Sequence, residues 1–162
     1  MKSLEGRWIL VTGASAGIGE ACARRFAEDG AGLILWARRL DRLQDLAAEL
    51  RERYGAEVEI RQVDVRDRDL VVGEAAALVA EGCVPDVILN NAGLASGFDA
   101  IHEGSYEDWD RMIDTNVKGL LNVTRELLPH IVARGTGHVV NIGSTAGHQV
   151  YPKGNVYNAS KF

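Results

Sequence analysis

The stretch Thr12-Gly13-Ala14-Ser15-Ala16-Gly17-Ile18-Gly19 decides how the rest of this chain is interpreted. It follows an apolar run at residues 8–11 and opens a helical pattern over residues 18–26, so it predicts a strand, a tight turn and a helix start. Three glycines allow positive φ angles and let a ligand come close to the backbone. Because free N–H groups at a helix start attract anions, the stretch indicates a phosphate site, usually for a pyrophosphate.

Two details of this glycine turn narrow the class of ligand. Its first two glycines are separated by three residues, and no Gly-Lys-Ser/Thr sequence follows them. Both details argue against a nucleoside-triphosphate P-loop. Glycines that serve only the steric needs of a turn are the alternative that the stretch alone leaves open.

Composition limits the classes of protein. The 162 residues are 46% hydrophobic and 25% charged, which is typical of one globular domain over residues 1–162. A net charge of −5 argues against nucleic acid or an anionic membrane as a partner. No apolar run is long enough to span a bilayer and no secretory segment follows Met1, so the cytoplasm is expected. Cys22 and Cys83 lack the spacing of a metal site, which predicts reduced thiols and no metal.

Strand and helix patterns alternate along the chain. Strands are predicted at residues 8–11, 33–36, 57–63, 84–89 and 138–142. Helices are predicted at residues 18–26, 41–54, 67–81 and 106–134, the last with a capping box at 105–108 and a bend at Pro129. The almost wholly apolar run 33–36 is typical of a strand buried on both faces of a parallel sheet. The chain is therefore predicted to form an open, doubly wound parallel α/β sheet, with ligands at the carboxyl ends of its strands.

The end of the second predicted strand bears on the choice of cofactor. A carboxylate that grips an adenosine ribose is expected about twenty residues after the glycine turn, but Arg38 and Arg39 occupy this corner. Two guanidiniums suit a 2′-phosphate better than a free hydroxyl, so NADP(H) is predicted over NAD(H). Arginines that only solvate a helix start are the alternative, which the helix dipole disfavours. Asp64 is open to two interpretations, as an acceptor for the adenine amino group or as a turn-forming aspartate.

Tyr157 and Lys161 stand four residues apart after a turn-like segment at 152–155. If a helix begins there, the two side chains share one face. A nearby ammonium favours the phenolate form of a tyrosine, which makes the phenol usable as an acid or base near neutral pH. Taken alone, however, a tyrosine and a lysine at this spacing are commonplace and fit a solvent-facing pair equally well.

Several motifs occur together and in a fixed order. They are the TGxxxGxG turn at 12–19, NNAG at 90–93, Asn116, Ser144, and Tyr157 with Lys161. In this combination the whole chain resembles the short-chain dehydrogenase/reductase family. Within that family it looks like the NADP-dependent 3-hydroxy acid dehydrogenases, a group that includes enzymes acting on serine and L-allo-threonine. The segments that carry this finer resemblance are residues 91–95, 107–109, 112–116, 142–147 and 154–157.

The resemblance implies a Rossmann-type fold and a role for each motif residue. Tyr157 would exchange a proton with the substrate oxygen, and Ser144 would hold that oxygen by a hydrogen bond. Lys161 would favour the phenolate and bind the nicotinamide ribose, while Asn116 would hold a water that links Lys161 to solvent. The implied NADP(H)-binding residues are Thr12, Gly13, Ser15, Gly17, Ile18, Gly19, Arg38, Arg39, Asp64, Val65, Asn91, Ala92 and Gly93, together with Tyr157 and Lys161.

The loop 147–153 lies between Ser144 and Tyr157, so it should border the substrate pocket. Gln149 is a candidate for a hydrogen bond to a polar substrate and Lys153 for attracting a carboxylate, but a solvated loop fits both residues equally well. The remaining candidates are interpreted as structural or surface residues: His102, His130, His138 and Trp109.

Family members continue beyond the position of Phe162 with a sixth strand, a substrate lid and a seventh strand. We therefore expect the front part of a cytoplasmic, homotetrameric oxidoreductase that acts on a small-molecule alcohol or carbonyl. A 3-hydroxy acid such as serine or 3-hydroxypropionate is the expected substrate. The alternative is a free-standing, non-catalytic module that binds a dinucleotide.

Overall fold

The protein is seen in a computed structural model that describes residues 3–162. Met1 and Lys2 lie outside the described residues. The first two positions of the predicted domain, and the start of the chain on which the prediction about a secretory segment rests, therefore lie outside them as well. Five strands form one sheet: β1 Trp8–Thr12, β2 Gly32–Ala37, β3 Val58–Gln62, β4 Val87–Asn90 and β5 His138–Asn141. All neighbours are parallel, and the strand order is β3-β2-β1-β4-β5.

Helices connect these strands. They are α1 Gly17–Glu28, α2 Leu40–Tyr54, α3 Arg68–Ala80, α4 Tyr106–Ile113, α5 Leu120–Arg134 and α6 Asn155–Lys161. A π-helical segment, Asp114–Gly119, joins α4 to α5, and a short 3₁₀ turn, Thr145–Gly147, follows β5. Each of these helices is too short or too polar to traverse a lipid bilayer. The predicted alternation of strands and helices and the doubly wound, Rossmann-like parallel sheet are confirmed.

Alternate residues of the central strands serve two hydrophobic cores. In β1, Ile9 and Val11 pack on one face with apolar residues of α1 and α2, whereas Leu10 packs on the other face with residues of α3 and α5. Leu10 also lies in register with Ile34 of β2 and Ile88 of β4. Because β1 and β2 are buried on both faces, they are apolar at nearly every position, as the sequence predicts.

The sheet reverses its winding between β1 and β4. The chain runs from β1 outward to β2 and β3, and then returns across β1 to place β4 and β5 on the other side. The carboxyl ends of β1 and β4 therefore flank a crevice, and a ligand site is expected at this switch point.

The long helix predicted over residues 106–134 is not continuous. It is interrupted by the π-helical segment, whose extra residue per turn buries Thr115 and Asn116. The capping box is also wrong: the Ser105 side chain makes no capping hydrogen bond, and its expected partner Asp108 instead accepts from the Ser96 hydroxyl at 2.5 Å. Pro129 lies inside α5, and the bend expected there stays a prediction.

The predicted end of α2 and the predicted state of the two cysteines can be compared directly with the structure. The helix predicted over residues 41–54 ends at Tyr54, where Gly55 follows in the left-handed conformation with φ 66°. Cys22 and Cys83 are unpaired thiols, and burial raises the pKa of Cys83. Between residues 3 and 162, no three His, Cys, Asp or Glu side chains converge in a way that suits a metal ion.

Candidate active site

The glycine turn after β1 lies directly against the chain that leaves β4. Gly13 has φ 67°, and a Cβ at this position would lie 2.9 Å from the Ala92 Cα. At Gly19 a Cβ would lie 2.5 Å from the Asn91 Nδ2. A side chain at either position would collide with the neighbouring segment, so these two glycines are required by packing as well as by backbone conformation.

Thr12 and Asn91 hold the two segments together. The buried Thr12 Oγ1 accepts hydrogen bonds from the main-chain N–H groups of Asn91 and Ala92, both at 3.0 Å. In return, Asn91 Nδ2 donates to the Thr12 carbonyl at 2.9 Å. Both side chains were predicted to bind the cofactor, but these contacts assign them first to shaping the turn.

A cleft of about 430 Å³ opens at the switch point. Of the residues predicted to bind the cofactor, the cleft is lined by Gly13, Ser15, Gly17, Ile18, Arg38, Arg39, Asp64, Val65, Asn91, Ala92, Gly93, Tyr157 and Lys161. Thr12 and Gly19 are not among its lining residues, and neither are the predicted catalytic residues Asn116 and Ser144. The sequence analysis assigns no cofactor contact to Leu94, Ala95, Thr115 and Ile142, which also line the cleft. The strand-end rule could have found Ile142, because it directly follows β5.

Arg38 and Arg39 bring positive charge to this cleft. Arg39 donates to the Ser15 hydroxyl through Nε at 3.2 Å and through Nη2 at 3.0 Å. In the described part of the chain, no carboxylate lies within 4.0 Å of either guanidinium. Neither guanidinium is therefore held in an ion pair, and both arginines can reach an anion in the cleft.

Asp64 forms a turn, which is one of the two interpretations that the sequence leaves open for this residue. Its Oδ1 accepts from the Arg66 main-chain N–H at 3.1 Å, and its Oδ2 lies 2.6 Å from the Arg66 guanidinium. Arg66 holds the pKa of the Asp64 carboxyl below its ordinary value. Because Asp64 also lines the cleft, its predicted contact with adenine stays a prediction.

Tyr157 and Lys161 both lie on α6 and line the same cleft, so the helix and the shared face are confirmed. Lys161 Nζ donates to the Ile142 carbonyl at 3.0 Å, and a Cβ built on Gly93 would lie 3.3 Å from Nζ. This hydrogen bond fixes the ammonium at the ends of β4 and β5. The pair thus faces the glycine turn across the cleft.

The buried Asn116 side chain links neighbouring segments of the chain by hydrogen bonds. Its Oδ1 accepts from the Leu94 N–H, and its Nδ2 donates to the Leu94 carbonyl, both at 2.8 Å. Nδ2 also donates to the Ser160 hydroxyl on α6 at 2.9 Å. Asn116 therefore joins the π-helical segment, the chain after β4 and α6, and its predicted water link to Lys161 stays a prediction.

Ser144 lies after β5, where the chain enters the 3₁₀ turn. Its Oγ accepts a hydrogen bond from the Ala146 N–H at 3.1 Å. Since the oxygen is the acceptor there, the hydroxyl proton remains available for donation to another group. The predicted contact with a substrate oxygen is untested.

A second, smaller cleft of about 60 Å³ adjoins the first, and both are lined by Ala95 and Tyr157. Its walls come from residues 95–99, 104–105, 151 and 153–157, with Trp109 and Met112 of α4. Trp109, which the sequence analysis interprets as a structural or surface residue, is among these lining residues. Lys153 lines this cleft but Gln149 does not, and His102, His130 and His138 are exposed on the surface as predicted.

The family model described as short chain dehydrogenase matches residues 7–162. The chain belongs to the short-chain dehydrogenase family. It is 50% identical over 153 residues to the NADP-dependent 3-hydroxy acid dehydrogenase YdfG of Escherichia coli K12, covering 94% of this chain and 60% of that protein. It is 46% identical over 154 residues to a sulfoacetaldehyde reductase of Chromohalobacter salexigens, with the same coverage of 94% and 60%.

The short-chain dehydrogenase fold is equally clear from solved structures. The closed form of serine dehydrogenase complexed with NADP⁺ superposes with a TM-score of 0.89 at 50% identity. The match covers 95% of this chain and 60% of that one. The chain thus spans about 60% of the length of the curated relatives that it matches.

Proposed function

We propose that the protein to which this chain belongs is an NADP(H)-dependent oxidoreductase. It transfers a hydride between the nicotinamide and a small alcohol or carbonyl compound, with a 3-hydroxy acid such as serine or 3-hydroxypropionate as the substrate. One observation carries the proposal. Tyr157 and Lys161 line the same cleft as the glycine turn and the two arginines. Assembly as a homotetramer and a place in the cytoplasm stay predictions from the sequence.

The cleft fits a dinucleotide phosphate in two respects. The N-cap residue of α1, Ala16, provides no side-chain cap, so the first N–H groups of the helix are free to bind a pyrophosphate. Arg38 and Arg39 suit a 2′-phosphate because neither has a carboxylate partner among residues 3–162. The names of the relatives agree with this choice, since YdfG is called NADP-dependent and the serine dehydrogenase structure is complexed with NADP⁺.

The residues at the other end of the cleft suit proton transfer. When bound, the nicotinamide supplies the hydride for reduction and accepts it in oxidation. During reduction Tyr157 donates its phenolic proton to the carbonyl oxygen, which becomes the hydroxyl of the product. Lys161, one helical turn away, stabilises the phenolate that remains. In the oxidation direction the phenolate removes the hydroxyl proton of the substrate.

Two further residues assist these steps. Ser144 donates its free hydroxyl proton to the substrate oxygen, and this bond strengthens as negative charge develops there. Asn116 keeps Leu94 and α6 in place through its three hydrogen bonds, and it returns a proton to the site through a bound water. The first role is carried by the observed contacts, whereas the water relay comes from the family resemblance alone.

The test is NADPH consumption with a panel of 3-oxo acids, together with NADP⁺ reduction by serine and 3-hydroxypropionate. Tyr157→Phe should lower kcat by about 10²- to 10⁴-fold, because it removes the proton donor. Tyr54→Phe is the matched control, since Tyr54 ends α2 outside both clefts, and it should leave kcat unchanged. Full activity of Tyr157→Phe would overturn the mechanism.

A non-catalytic dinucleotide-binding module is the second candidate function. The glycine turn and both arginines come from the first 39 residues, so they can serve binding without Tyr157. Tight NADPH binding with no turnover of any substrate in the panel would favour this alternative. Turnover that depends on Tyr157 would exclude it.

A further inference from the structure

The three lysines within the described residues differ in what their ammonium groups contact. Lys118 Nζ is paired with Asp114 Oδ1 at 2.7 Å, and Lys161 Nζ donates to the Ile142 carbonyl at 3.0 Å. Among residues 3–162, Lys153 has neither a carboxylate within 4.0 Å nor a hydrogen-bond acceptor for its ammonium. The ammonium lies over the Phe98 ring, whose centroid is 5.7 Å from Nζ. Lys153 therefore presents an uncompensated positive charge.

This charge borders the smaller cleft. Lys153 and Phe98 line that cleft together with Tyr157, the proposed proton donor. Tyr157 also lines the larger cleft, so the two clefts meet at this residue. At about 60 Å³, the smaller cleft suits a short molecule. The ring face of Phe98 attracts the ammonium and shields one side of it from water.

The backbone at Lys153 has an energetically unfavourable conformation. Lys153 has φ 65°, and Asn155 has φ 28°. These are left-handed values that residues other than glycine rarely adopt. Asn155 Nδ2 donates to the Asp99 carbonyl at 2.6 Å and so ties the start of α6 to the loop that carries Phe98. Strained residues of this kind persist where surrounding contacts fix them, often beside a functional site.

The charge balance of the smaller cleft is simple. Lys153 is the one basic residue of its lining, and Asp99 is the one acidic residue. The two side chains form no ion pair, since no contact within 4.0 Å joins them. An anion that enters the cleft therefore has a cation available to it, and Asp99 opposes its entry.

We propose that Lys153 binds the acid group of the substrate and selects anionic alcohols and carbonyls over neutral ones of the same length. The proposal rests on the oxidoreductase function proposed above, because it assigns the acid end of the substrate to the smaller cleft and the reacting end to Tyr157. Lys153 is then a specificity residue that contacts the substrate without taking part in proton transfer.

The test compares 3-hydroxypropionate with its uncharged methyl ester, using NADP⁺ as the oxidant and the protein at full length. Lys153→Met should raise KM for the acid by about tenfold or more, because a charge-assisted contact is lost. KM for the ester should change by less than about twofold, and kcat for both substrates should stay close to the original value. Lys153→Arg should restore most of the affinity for the acid.

Three further variants separate the effect of charge on substrate binding from effects on folding. Lys153→Gly relieves the left-handed backbone, so it should raise the melting temperature and yet raise KM for the acid as Lys153→Met does. Asp99→Asn should lower KM for the acid, because it removes the opposing charge. Lys118→Met is the matched control for loss of a lysine, and it should leave both KM values unchanged.

Calorimetric binding of 3-hydroxypropionate to the protein saturated with NADP⁺ distinguishes failure of this proposal from failure of the proposed function. Binding that Lys153→Met abolishes, without turnover, would support the anion site and overturn the oxidoreductase function. Turnover of acid and ester with equal KM, or a Lys153→Met variant that affects both substrates alike, would overturn the anion site and leave the function intact.

Discussion

At the scale of single residues, the cleft is defined by charges that lack partners. Arg39 reaches the neutral Ser15 hydroxyl, and Arg38 makes no ion pair within the described chain. In a chain with a net charge of −5, about half of the described lysines and arginines lie within 4.0 Å of a carboxylate, as Arg24 does with Glu20 and Glu49. Guanidiniums left free beside a helix start are well placed to bind phosphate.

The first prediction at this scale concerns the choice between NADPH and NADH. Changing Arg38 and Arg39 together to alanine should raise the Kd of NADPH by about 10- to 100-fold, since charge-assisted contacts to the 2′-phosphate are lost. The Kd of NADH should change by less than about threefold. Fluorescence titration of both nucleotides measures this, with Arg53→Ala as the control because Arg53 lies near the far end of α2. An equal loss for both nucleotides would contradict the assignment.

At the scale of secondary-structure elements, the turn between β3 and α3 is held by an ion pair. Arg66 donates to the Asp64 carboxylate through its main chain and its guanidinium, and Asp67 caps α3 by accepting from the Leu70 N–H at 3.0 Å. These local bonds place Asp64 and Val65 at the rim of the larger cleft. The turn is thus fixed before any ligand binds.

The pH dependence of stability tests this turn. Because Arg66 depresses the pKa of folded Asp64, the pair stabilises the protein above the unfolded-state pKa of about 3.9 and loses this contribution as the pH falls through the lower folded value. Asp64→Asn should therefore lower the urea midpoint at about pH 6 and flatten its fall below about pH 4. Asp45→Asn, on the exposed side of α2, should do neither. A parallel shift of the whole curve would argue against the ion pair.

At the scale of the whole molecule, one sheet with two cores supports both clefts. Leu10 is fully buried between Ile34 and Ile88 in the centre of the sheet and faces α3 and α5. The strand ends that carry Thr12, Asn90 and Asn141 lie at the edge of this core. The positions of the site residues therefore depend on how well this core is packed.

Removing part of this core should be costly. Leu10→Ala should lower the free energy of unfolding by about 2–5 kcal/mol, because it deletes buried methyl groups and leaves a cavity. Leu121→Ala, whose side chain is 57% exposed on α5, should change it by less than about 0.5 kcal/mol. Urea unfolding followed by circular dichroism measures both. Comparable losses for the two variants would contradict this picture of the core.

The order of strands and helices could be predicted because it depends on local patterns. Apolar runs marked β1 and β2, the edge strand β3 alternated in polarity, and Gly55 ended α2. The long helix was mispredicted, since the π-helical segment at Asp114–Gly119 inserts one extra residue per turn without breaking the helical composition. That Trp109 lines the smaller cleft could not be predicted, because nothing in its neighbourhood along the chain indicates which cavity its side chain will border.

The sequence by itself determined the doubly wound sheet, the position of the glycine turn and the helical spacing of Tyr157 and Lys161, because periodicity and spacing are local properties of the chain. Tertiary structure alone decided which side chains shape the site. Thr12 meets Asn91 across 79 residues, Asn116 clamps Leu94 and Ser160, and Lys153 faces the smaller cleft without a partner among the described residues. Such contacts depend on the packing of distant segments, and no local pattern in the chain encodes them.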